Sequence, residues 1–237
     1  FCNKIKGRTI RQISRRGKYI VFDLSSSLTL MIHLRMTGRL NWEPRDQPRN
    51  KHEHVILDVG QTHSLRFQDT RKFGRIWLTT APERILDHLG PEPLEENFTV
   101  ERFSEMLQTT NRQIKPLLLD QHFLAGLGNI YVDEALWESG IHPQRTSRSL
   151  TVDEVPILHR AIPRVLNKGL RNLGTSLGTG KSNFYLPGSR PGGNAEKLNV
   201  FRRTGKACPR CGSTVVRLVV AQRSSHICPD CQKRHPY

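Results

Sequence analysis

The C-terminal part of this chain contains its most constraining feature, two closely spaced pairs of cysteines. The four residues are Cys208, Cys211, Cys228 and Cys231. Two residues lie inside each pair and sixteen lie between the pairs, a spacing typical of a site in which four thiolates hold one Zn²⁺ ion. The β-branched run at 215–220 predicts one arm of a hairpin that brings the pairs together. The sequence therefore predicts one structural zinc in a ribbon over residues 201–237.

Two other arrangements of these cysteines are open, namely two disulfides or unrelated buried thiols. The sequence shows no secretory signal beside them, and the identical spacing of the two pairs favours the metal. The fifth cysteine, Cys2, has no partner left for a further pair. A ribbon this small buries little apolar surface, so the metal is expected to contribute to its folding free energy. We expect a protein of a reducing compartment, the cytoplasm.

The charge of the chain indicates the kind of partner. Lys and Arg number 37 against 21 Asp and Glu, which gives a net charge of +16. Such an excess implies a polyanion, either a nucleic acid or an anionic membrane surface. No apolar run approaches the ~18 residues that a bilayer span requires. The composition therefore favours a nucleic acid and no membrane.

Residues 1–80 show the pattern of a β-rich domain, in which short apolar runs alternate with turns. Strands are predicted at 18–24, 28–34, 54–59, 63–68 and 74–79. Five short strands with no long helix between them favour an antiparallel β-sandwich.

The period changes to that of helices over residues 81–173. Helices are predicted at 82–89, after the N-cap Thr99, at 114–124, at 129–139, and from Thr151 to about Leu173. Thr151 and Glu154 form a capping-box pattern, and Pro163 is expected to kink or break the helix that follows. Residues 174–200, rich in Gly, Ser, Asn and Pro, predict a flexible loop and linker before the ribbon. The fold class is thus α+β and multidomain.

A glycine-rich turn between two predicted helices is a candidate phosphate site. It reads Gly126-Leu127-Gly128-Asn129. Glycines allow close backbone approach, and a helix start presents amide donors, so a DNA phosphate fits here with the Asn129 side chain as a further donor. The alternative is an ordinary tight turn between helices.

Several blocks of the sequence, taken in order, resemble one known family. They are Arg15-Arg16-Gly17-Lys18-Tyr19, His33-Leu34-Arg35-Met36-Thr37-Gly38, Lys51-His52-Glu53-His54, Asp69-Thr70-Arg71-Lys72-Phe73-Gly74 and Gly126-Leu127-Gly128-Asn129-Ile130-Tyr131. With the ribbon, they resemble the formamidopyrimidine-DNA glycosylases, bacterial base-excision repair enzymes for oxidised purines. The resemblance covers almost the whole chain. It implies a β-sandwich, a helix-two-turn-helix domain that binds DNA, and a zinc ribbon.

The resemblance implies that three residues fill the gap left by an everted base. Such enzymes swing the damaged base out of the duplex, and Met36, Arg71 and Phe73 match the family residues that replace it. A thioether and a ring can wedge between bases, and a guanidinium can hydrogen-bond the orphaned base. The alternative is that Met36 and Phe73 are core residues of strands.

Further roles follow from the same resemblance. His52 and Asn129 match DNA contacts, and Arg112 is a candidate phosphate ligand. Lys18 matches a lysine that contacts the lesion's phosphate and assists β-elimination, and Arg223 matches an arginine that binds phosphate and assists δ-elimination. The loop 174–194 matches the segment that closes over the everted base, with Thr175 and Ser176 as candidate donors. For each cation the alternative is a solvated surface residue.

The sequence departs from the family at the catalytic pair, an N-terminal proline followed by a glutamate. Attack on the sugar C1′ needs an unprotonated amine, and an α-amino group with a pKa of ~8 suits it better than a lysine at ~10.4. A nearby acid must also protonate the sugar oxygen. This sequence begins with Phe1 and has no carboxylate before Asp23. We therefore expect it to lack the family's first segment and, as given, to be competent at most for DNA binding.

The sequence as a whole predicts a DNA glycosylase and apurinic/apyrimidinic lyase for 8-oxoguanine and formamidopyrimidines. It would act as a monomer on damaged double-stranded DNA at the bacterial nucleoid, through a Schiff base and β,δ-elimination. One alternative is the related endonuclease VIII type, which prefers oxidised pyrimidines. The other is a zinc-ribbon protein that binds DNA without catalysis.

Overall fold

The structure is a computed structural model that describes residues 1–177, 185–186 and 190–234. It contains two compact units. The first comprises Phe1–Asp87 and Arg171–Ala195, and the second comprises His88–Leu170 and Glu196–Tyr237. Among the described helices, none combines the length and the apolar character that a membrane span requires.

The first unit contains a short helix and two antiparallel sheets. After α1 (Cys2–Ile5) come β1 (Ile10–Arg16), β2 (Tyr19–Leu24), β3 (Leu28–His33), β4 (Gly38–Pro44), β5 (Glu53–Val59), β6 (His63–Asp69), β7 (Arg75–Thr79) and the short helix α2 (Glu83–Leu86). One sheet has the order β1-β2-β3-β7 and the other β4-β6-β5. The predicted sandwich is confirmed, with β1 and β4 as strands that the sequence pattern did not reveal.

Alternation along the strands builds the core of this sandwich. Phe22 and Leu24 of β2 and Leu30 and Ile32 of β3 are buried, and Phe67 from the other sheet packs with them. Residues two apart on a strand point to the same face, so each strand turns one apolar row toward the core. The two sheets therefore share a single apolar layer.

A buried arginine fixes the loop between β4 and β5. The Arg66 guanidinium, almost completely buried, donates to Glu53 Oε2 at 3.3 Å. It also donates to four carbonyl oxygens of residues 44–48, at 2.8 to 3.4 Å. A buried charge needs such a full set of partners. The loop that leads to His52 is consequently anchored to the sheet.

The second unit begins with helices whose ends follow local rules. They are α3 (Val100–Gln108), α4 (Ile114–Leu119), α5 (Asn129–Ser139) and α6 (Glu154–Arg171). The predicted N-cap is confirmed, because Thr99 Oγ1 accepts the Arg102 amide at 3.3 Å. The capping box is confirmed too: Thr151 N donates to Glu154 Oε2 at 2.8 Å, and Glu154 N donates to Thr151 Oγ1 at 3.3 Å.

Several helix boundaries differ from expectation, and α2 ends at Leu86 and not at Leu89. The helix α4 ends at Leu119, because Asp120 has an extended backbone and its Oδ1 accepts the amide of His122 at 3.0 Å. The helix α6 runs through Pro163 without ending there. An interior proline costs about 3 kcal/mol. Its neighbours Ile162 and Val165 are buried in the helical core, and this burial offsets that cost.

Short strands complete the chain. These are β8 (Tyr185–Leu186) and β9 (Arg190–Pro191), which pair with each other, and β10 (Val216–Val220) and β11 (Arg223–Ile227), which form the hairpin expected between the cysteine pairs. Its two turn residues, Ala221 and Gln222, have φ of 45° and 60°. Two positive φ values are typical of a type I′ turn, whose twist matches that of the strands. Arg223 thus follows directly after a tight turn.

Candidate nucleic-acid interface and metal centre

The four cysteines converge as a metal site requires. Their Sγ atoms all lie within 4.8 Å of one another. Individual separations are 3.9 Å for Cys208 to Cys231 and 3.4 Å for Cys211 to both Cys228 and Cys231. Zn–S bonds of about 2.3 Å in a tetrahedron place the sulfurs about 3.8 Å apart, whereas a disulfide brings them to about 2.0 Å. The thiols are free, and the donor set fits one Zn²⁺ ion.

The surroundings of Cys208 favour its thiolate. Burial alone would raise its pKa, but hydrogen bonds from the Arg210 amide and the Trp137 indole, each 3.4 Å from the sulfur, lower the pKa to about 6. The Arg210 guanidinium in turn lies 4.3 Å above the Trp137 ring. These hydrogen bonds favour at Cys208 the thiolate form that binds zinc, whereas burial raises the pKa of Cys228 and Cys231, which lose their protons only to the metal.

A buried ionic network joins α4 and α5 to the hairpin. The fully buried Lys115 Nζ donates to Asp133 Oδ1 at 2.5 Å and to the Ser224 carbonyl at 2.7 Å. Asp133 Oδ2 accepts the His226 amide at 2.9 Å and lies 3.0 Å from Nδ1 of that ring. Burial lowers the pKa of Lys115, although the Asp133 charge opposes the change. The network therefore fixes β11 on the helices.

Asn129 contributes to the same junction. Its Nδ2 donates to the Ser224 carbonyl at 2.9 Å, and its Oδ1 is buried without a hydrogen-bond partner among the described residues. The side-chain amide that was predicted to reach a phosphate thus donates one hydrogen bond to the hairpin, and its role as a phosphate donor stays a prediction. The backbone at the start of α5 remains the predicted phosphate site.

Arg223 lies in the exposed part of the hairpin. It is the first residue of β11 and precedes Ser224, whose carbonyl accepts from both Lys115 and Asn129. The Ser224 hydroxyl also accepts from the Arg217 guanidinium, at 2.7 and 3.1 Å. An exposed cation on a backbone anchored in this way is well placed to contact a polyanion.

Arg112 lies exposed just before α4. Its guanidinium donates to Asp120 Oδ2 at 2.7 Å and is half exposed. Burial would raise the pKa of Asp120, but hydrogen bonds from Arg112 and the His122 amide lower it. The ion pair orients the arginine and leaves part of it open to solvent.

Met36 and Phe73 lie at the surface of the sandwich unit. Each is 51% exposed, Met36 in the turn between β3 and β4 and Phe73 in the loop between β6 and β7. The Arg71 guanidinium lies 4.6 Å above the Phe73 ring. The alternative that Met36 and Phe73 are core residues is therefore wrong, and the three side chains stay available for a partner.

One buried carboxylate connects these two loops. Asp69 accepts the Thr37 hydroxyl from one loop, and from the other it accepts the amides of Arg71 at 3.2 Å and Gly74 at 2.7 Å. The carbonyl of His52, at the head of β5, accepts the Asp69 amide at 3.0 Å. The structure thus gathers His52, Arg71 and the Met36 turn around one residue.

Lys18 lies exposed in the turn between β1 and β2, near a histidine that resists protonation. Tyr19 pairs with His33 across the strands, and its ring centroid lies 4.8 Å from that of His33. Burial, followed by the charges of Arg35 and Lys18, lowers the pKa of His33 to about 4, and its Nδ1 accepts the Arg35 amide at 3.0 Å. His33 is therefore neutral beside two cations at neutral pH.

This histidine should make the stability depend on pH. Its pKa is lower in the folded chain than the 6.5 of the unfolded chain, so its contribution is complete above about pH 6.5 and is lost as the pH falls through about 4. We expect the free energy of unfolding to decline less over this window in His33→Asn, which keeps an acceptor for the Arg35 amide. Urea denaturation at several pH values measures this, and parallel curves for the two proteins would contradict it.

Thr175 and Ser176 are buried and engaged within their own segment. The Thr175 hydroxyl accepts Asn194 Nδ2 at 2.8 Å, and the Ser176 hydroxyl accepts the Gly192 amide at 2.8 Å. Both bonds join the two ends of the loop that was predicted to close over the everted base. Residues 178–184 and 187–189 of that loop lie outside the described residues.

Sequence reasoning missed the residues that hold the site together. Lys115 interrupts an apolar helix, and Asp133 and Glu134 form an acidic pair in another. Glu134 is buried and accepts the amides of residues 199–201 at 2.8 to 2.9 Å. A charge inside an apolar run was the available signal. Asp69 gave no such signal, because it ends a strand where polar residues are common.

A β-sandwich and a helical unit that carries a four-thiolate hairpin define a class of basic, zinc-ribbon DNA-binding proteins. Three family models match this chain in order. They are the formamidopyrimidine-DNA glycosylase N-terminal domain at residues 1–76, the formamidopyrimidine-DNA glycosylase H2TH domain at 89–180, and the zinc finger found in FPG and IleRS at 205–234.

Individual relatives agree with these matches. The formamidopyrimidine-DNA glycosylase of Protochlamydia amoebophila is 46% identical over 234 residues, which are 99% of this chain and 85% of the relative. The formamidopyrimidine-DNA glycosylase of a Roseiflexus species is 45% identical, over 98% of this chain and 85% of the relative. The chain belongs to the formamidopyrimidine-DNA glycosylase family, and its cysteine cluster is the zinc finger of that family.

Solved structures show the same fold. The Lactococcus lactis Fpg in complex with DNA that contains an abasic site superposes with a TM-score of 0.90 at 38% identity, over 98% of this chain and 85% of that one. The same organism's Fpg (MutM) with DNA that contains FAPY-dG superposes with a TM-score of 0.88 at 36% identity, again over 98% of this chain and 85% of that one. The three-part fold class predicted from the sequence is confirmed.

Proposed function

We propose that this chain is a base-excision repair glycosylase with apurinic/apyrimidinic lyase activity on oxidised purines in duplex DNA. The observation that carries the proposal is the exposed set Met36, Arg71 and Phe73 on two loops joined by Asp69. Exposed apolar side chains that are held together on joined loops, and not scattered singly, favour a binding surface. A thioether, a ring and a guanidinium together suit the space and the orphaned base that eversion leaves.

The cations take roles along the DNA backbone. Lys18 contacts the lesion's phosphate and assists β-elimination, and Arg223 binds phosphate and assists δ-elimination. Arg112, His52 and the start of α5 at Asn129 add contacts that position the duplex without reading its sequence. The exposure of Lys18 and Arg223, and the partial exposure of Arg112, support these roles.

Zinc supports this function through structure. Held by the four thiolates, it would supply folding free energy to the ribbon and take no part in the reaction. The buried network of Lys115 and Asp133 holds the folded hairpin on the helices, so that Arg223 keeps its place relative to the start of α5.

Two alternatives differ in what they explain. An endonuclease VIII type enzyme would share the helices and the ribbon, but the pair of Arg71 over Phe73 favours the purine branch. A DNA-binding protein without catalysis would account for the charge and the zinc. It gives no reason for exposed Met36 and Phe73 on anchored loops.

We further propose that the protein acts as a monomer in the bacterial cytoplasm, associated with the nucleoid. The bacterial relatives and the net charge of +16 support this placement. The proposed domains are the β-sandwich at 1–80, the helix-two-turn-helix domain at 81–173, the loop and linker at 174–200, and the zinc ribbon at 201–237.

The binding step can be tested with the chain as it stands. We expect a duplex that contains a tetrahydrofuran abasic analogue opposite cytosine to bind about tenfold tighter than the same duplex undamaged, the scale of one stacking contact. Phe73→Ala should remove most of this preference and leave the affinity for undamaged duplex nearly unchanged. Ile56→Ala, which truncates another exposed apolar residue of the same unit, is the matched control.

Fluorescence anisotropy with both duplexes measures the preference. Equal affinity of the unsubstituted chain for the two duplexes would contradict a lesion-dependent role and favour the DNA-binding alternative. Loss of the preference in Ile56→Ala as well as in Phe73→Ala would show that the preference does not depend specifically on Met36, Arg71 and Phe73.

A further inference from the structure

We propose that Asp69 is a positioning residue that fixes the two void-filling loops in one arrangement before DNA binds. This inference rests on the proposed function, because it assigns a purpose to the set Met36, Arg71 and Phe73. The proposal concerns only the sandwich unit and the groups that Asp69 contacts.

The hydrogen bonds of Asp69 reach the immediate neighbours of all three side chains. Its Oδ1 accepts the hydroxyl of Thr37, the residue after Met36, and the backbone amide of Arg71 itself at 3.2 Å. Its Oδ2 accepts the amide of Gly74, the residue after Phe73, at 2.7 Å. One carboxylate thereby determines the spacing between the turn at Met36 and the loop at Phe73.

The carboxylate suits this task because it is fully buried and accepts only. Burial alone would raise its pKa, but the hydrogen bonds from Thr37 and from the amides of the β6–β7 loop outweigh burial and lower it. An ionised carboxylate has acceptor sites on both oxygens and no proton to oppose a donor. Hydrogen bonds to a charged acceptor are also stronger than neutral ones.

The backbone of Asp69 is itself held from both sides. Its amide donates to the His52 carbonyl at 3.0 Å, and its carbonyl oxygen lies 2.8 Å from His54 Nε2. Gly74 completes the arrangement, because a Cβ at that position would lie 2.4 Å from Phe67 Cζ and 3.1 Å from Asp69 Oδ2. A side chain at this position would therefore collide with the Phe67 ring and crowd the carboxylate, and glycine avoids both.

The loops contain backbone conformations that need such support. Arg35 and Lys72, one in each loop, have φ of 53° and 58°. A non-glycine residue in the left-handed region is disfavoured and persists only where its surroundings fix it. Without the Asp69 acceptor, both loops can relax, and the side chains lose their common geometry while the sheets keep their core.

The test uses Asp69→Asn in the full chain, with Asp58→Asn as the matched control. Asparagine keeps the size and one acceptor oxygen but turns an NH₂ donor toward backbone N–H donors. Asp58 is a half-exposed aspartate of the neighbouring strand β5 and pairs with Arg45 at 3.1 Å. Neither residue belongs to the two loops that Asp69 joins. The probe is a duplex with tetrahydrofuran opposite 2-aminopurine, whose emission rises when inserted side chains interrupt its stacking.

We expect Asp69→Asn to lose most of the emission change and about tenfold of the preference for the tetrahydrofuran duplex, with its affinity for undamaged duplex retained. Asp58→Asn should match the unsubstituted chain. A purely structural role would instead lower both affinities together. If Asp69→Asn keeps the full emission change, the positioning role is wrong.

Folding defects and failure of the proposed function are separable from this result. If the unsubstituted chain gives no preference and no emission change, the proposed function fails, whatever Asp69 does. If Asp69→Asn does not fold, Thr37→Val decides, because it removes a single donor and keeps the shape of the side chain. A reduced emission change in folded Thr37→Val supports the proposal, and an unchanged one overturns it.

Discussion

Replacing Cys228 with serine is expected to abolish zinc binding and unfold the ribbon. Cys228 is completely buried, and its sulfur lies 3.4 Å from that of Cys211 inside the four-thiolate cluster. Structural zinc contributes an apparent ~10–16 kcal/mol to such small modules, and a serine hydroxyl is a far weaker ligand than a thiolate. The apolar cluster around Val200 and Val215 is too small to replace that contribution.

Loss of the ribbon should also weaken DNA binding by roughly hundredfold, because Arg223 and its neighbouring cations lose their anchored backbone. Zinc content per chain and affinity for a tetrahydrofuran duplex measure the two effects. The matched control is Cys2→Ser, which changes the exposed cysteine outside the cluster and should alter neither. A Cys228→Ser protein that retained one zinc and its full affinity would contradict the assignment.

Replacing Lys115 with methionine is expected to cost about 3–5 kcal/mol in the free energy of unfolding. The change leaves the fully buried Asp133 without its cation and removes a donor from the Ser224 carbonyl. The methionine keeps the apolar length of the side chain, so the cost reports the unpaired charge and not a cavity. Zinc-loaded protein and urea denaturation give the measurement.

Two companion variants make the result specific. Lys206→Met removes an exposed lysine of the same unit and should change the free energy of unfolding by less than about 0.5 kcal/mol. Adding Asp133→Asn to Lys115→Met removes the uncompensated charge and should recover part of the loss. If Lys115→Met were as stable as Lys206→Met, the buried network would not hold the hairpin.

Local patterns predicted those parts of the fold that local chemistry determines. The cysteine spacing predicted the metal site, Thr99 and Thr151 predicted helix starts, and alternation predicted five strands of the sandwich. The sequence pattern did not predict the strand β1, because six of its seven residues are exposed and it shows no apolar row. Its pairing with β2, and not its own sequence, makes it a strand.

The candidate site depends on contacts that the sequence pattern does not contain. Lys115 meets Ser224 across 109 positions, and Asp69 meets Thr37 across 32. No periodicity or spacing rule links such residues. The resemblance supplied Met36, Arg71 and Phe73, but their exposure and their common carboxylate emerged only from the folded chain. The hydrogen bond of the Asn129 side chain has the same origin, since its acceptor, the Ser224 carbonyl, lies on a distant hairpin.

Catalysis is the central claim, and borohydride trapping tests it most directly. The proposed chemistry forms a Schiff base between an N-terminal proline amine and the sugar, which borohydride reduces to a stable adduct. This chain is compared with a version preceded by an N-terminal segment that begins with proline and glutamate, on duplexes that contain 8-oxoguanine or an oxidised pyrimidine.

We predict an adduct with the proline-containing version on the 8-oxoguanine duplex, and little on the oxidised pyrimidine. An adduct with this chain as it stands would mean that another amine, such as Lys18 or Phe1, acts as the nucleophile. Preferential trapping on the pyrimidine would favour the endonuclease VIII type. Absence of any adduct, while both versions bind the duplex tightly, would contradict the account and leave a DNA-binding protein without catalysis.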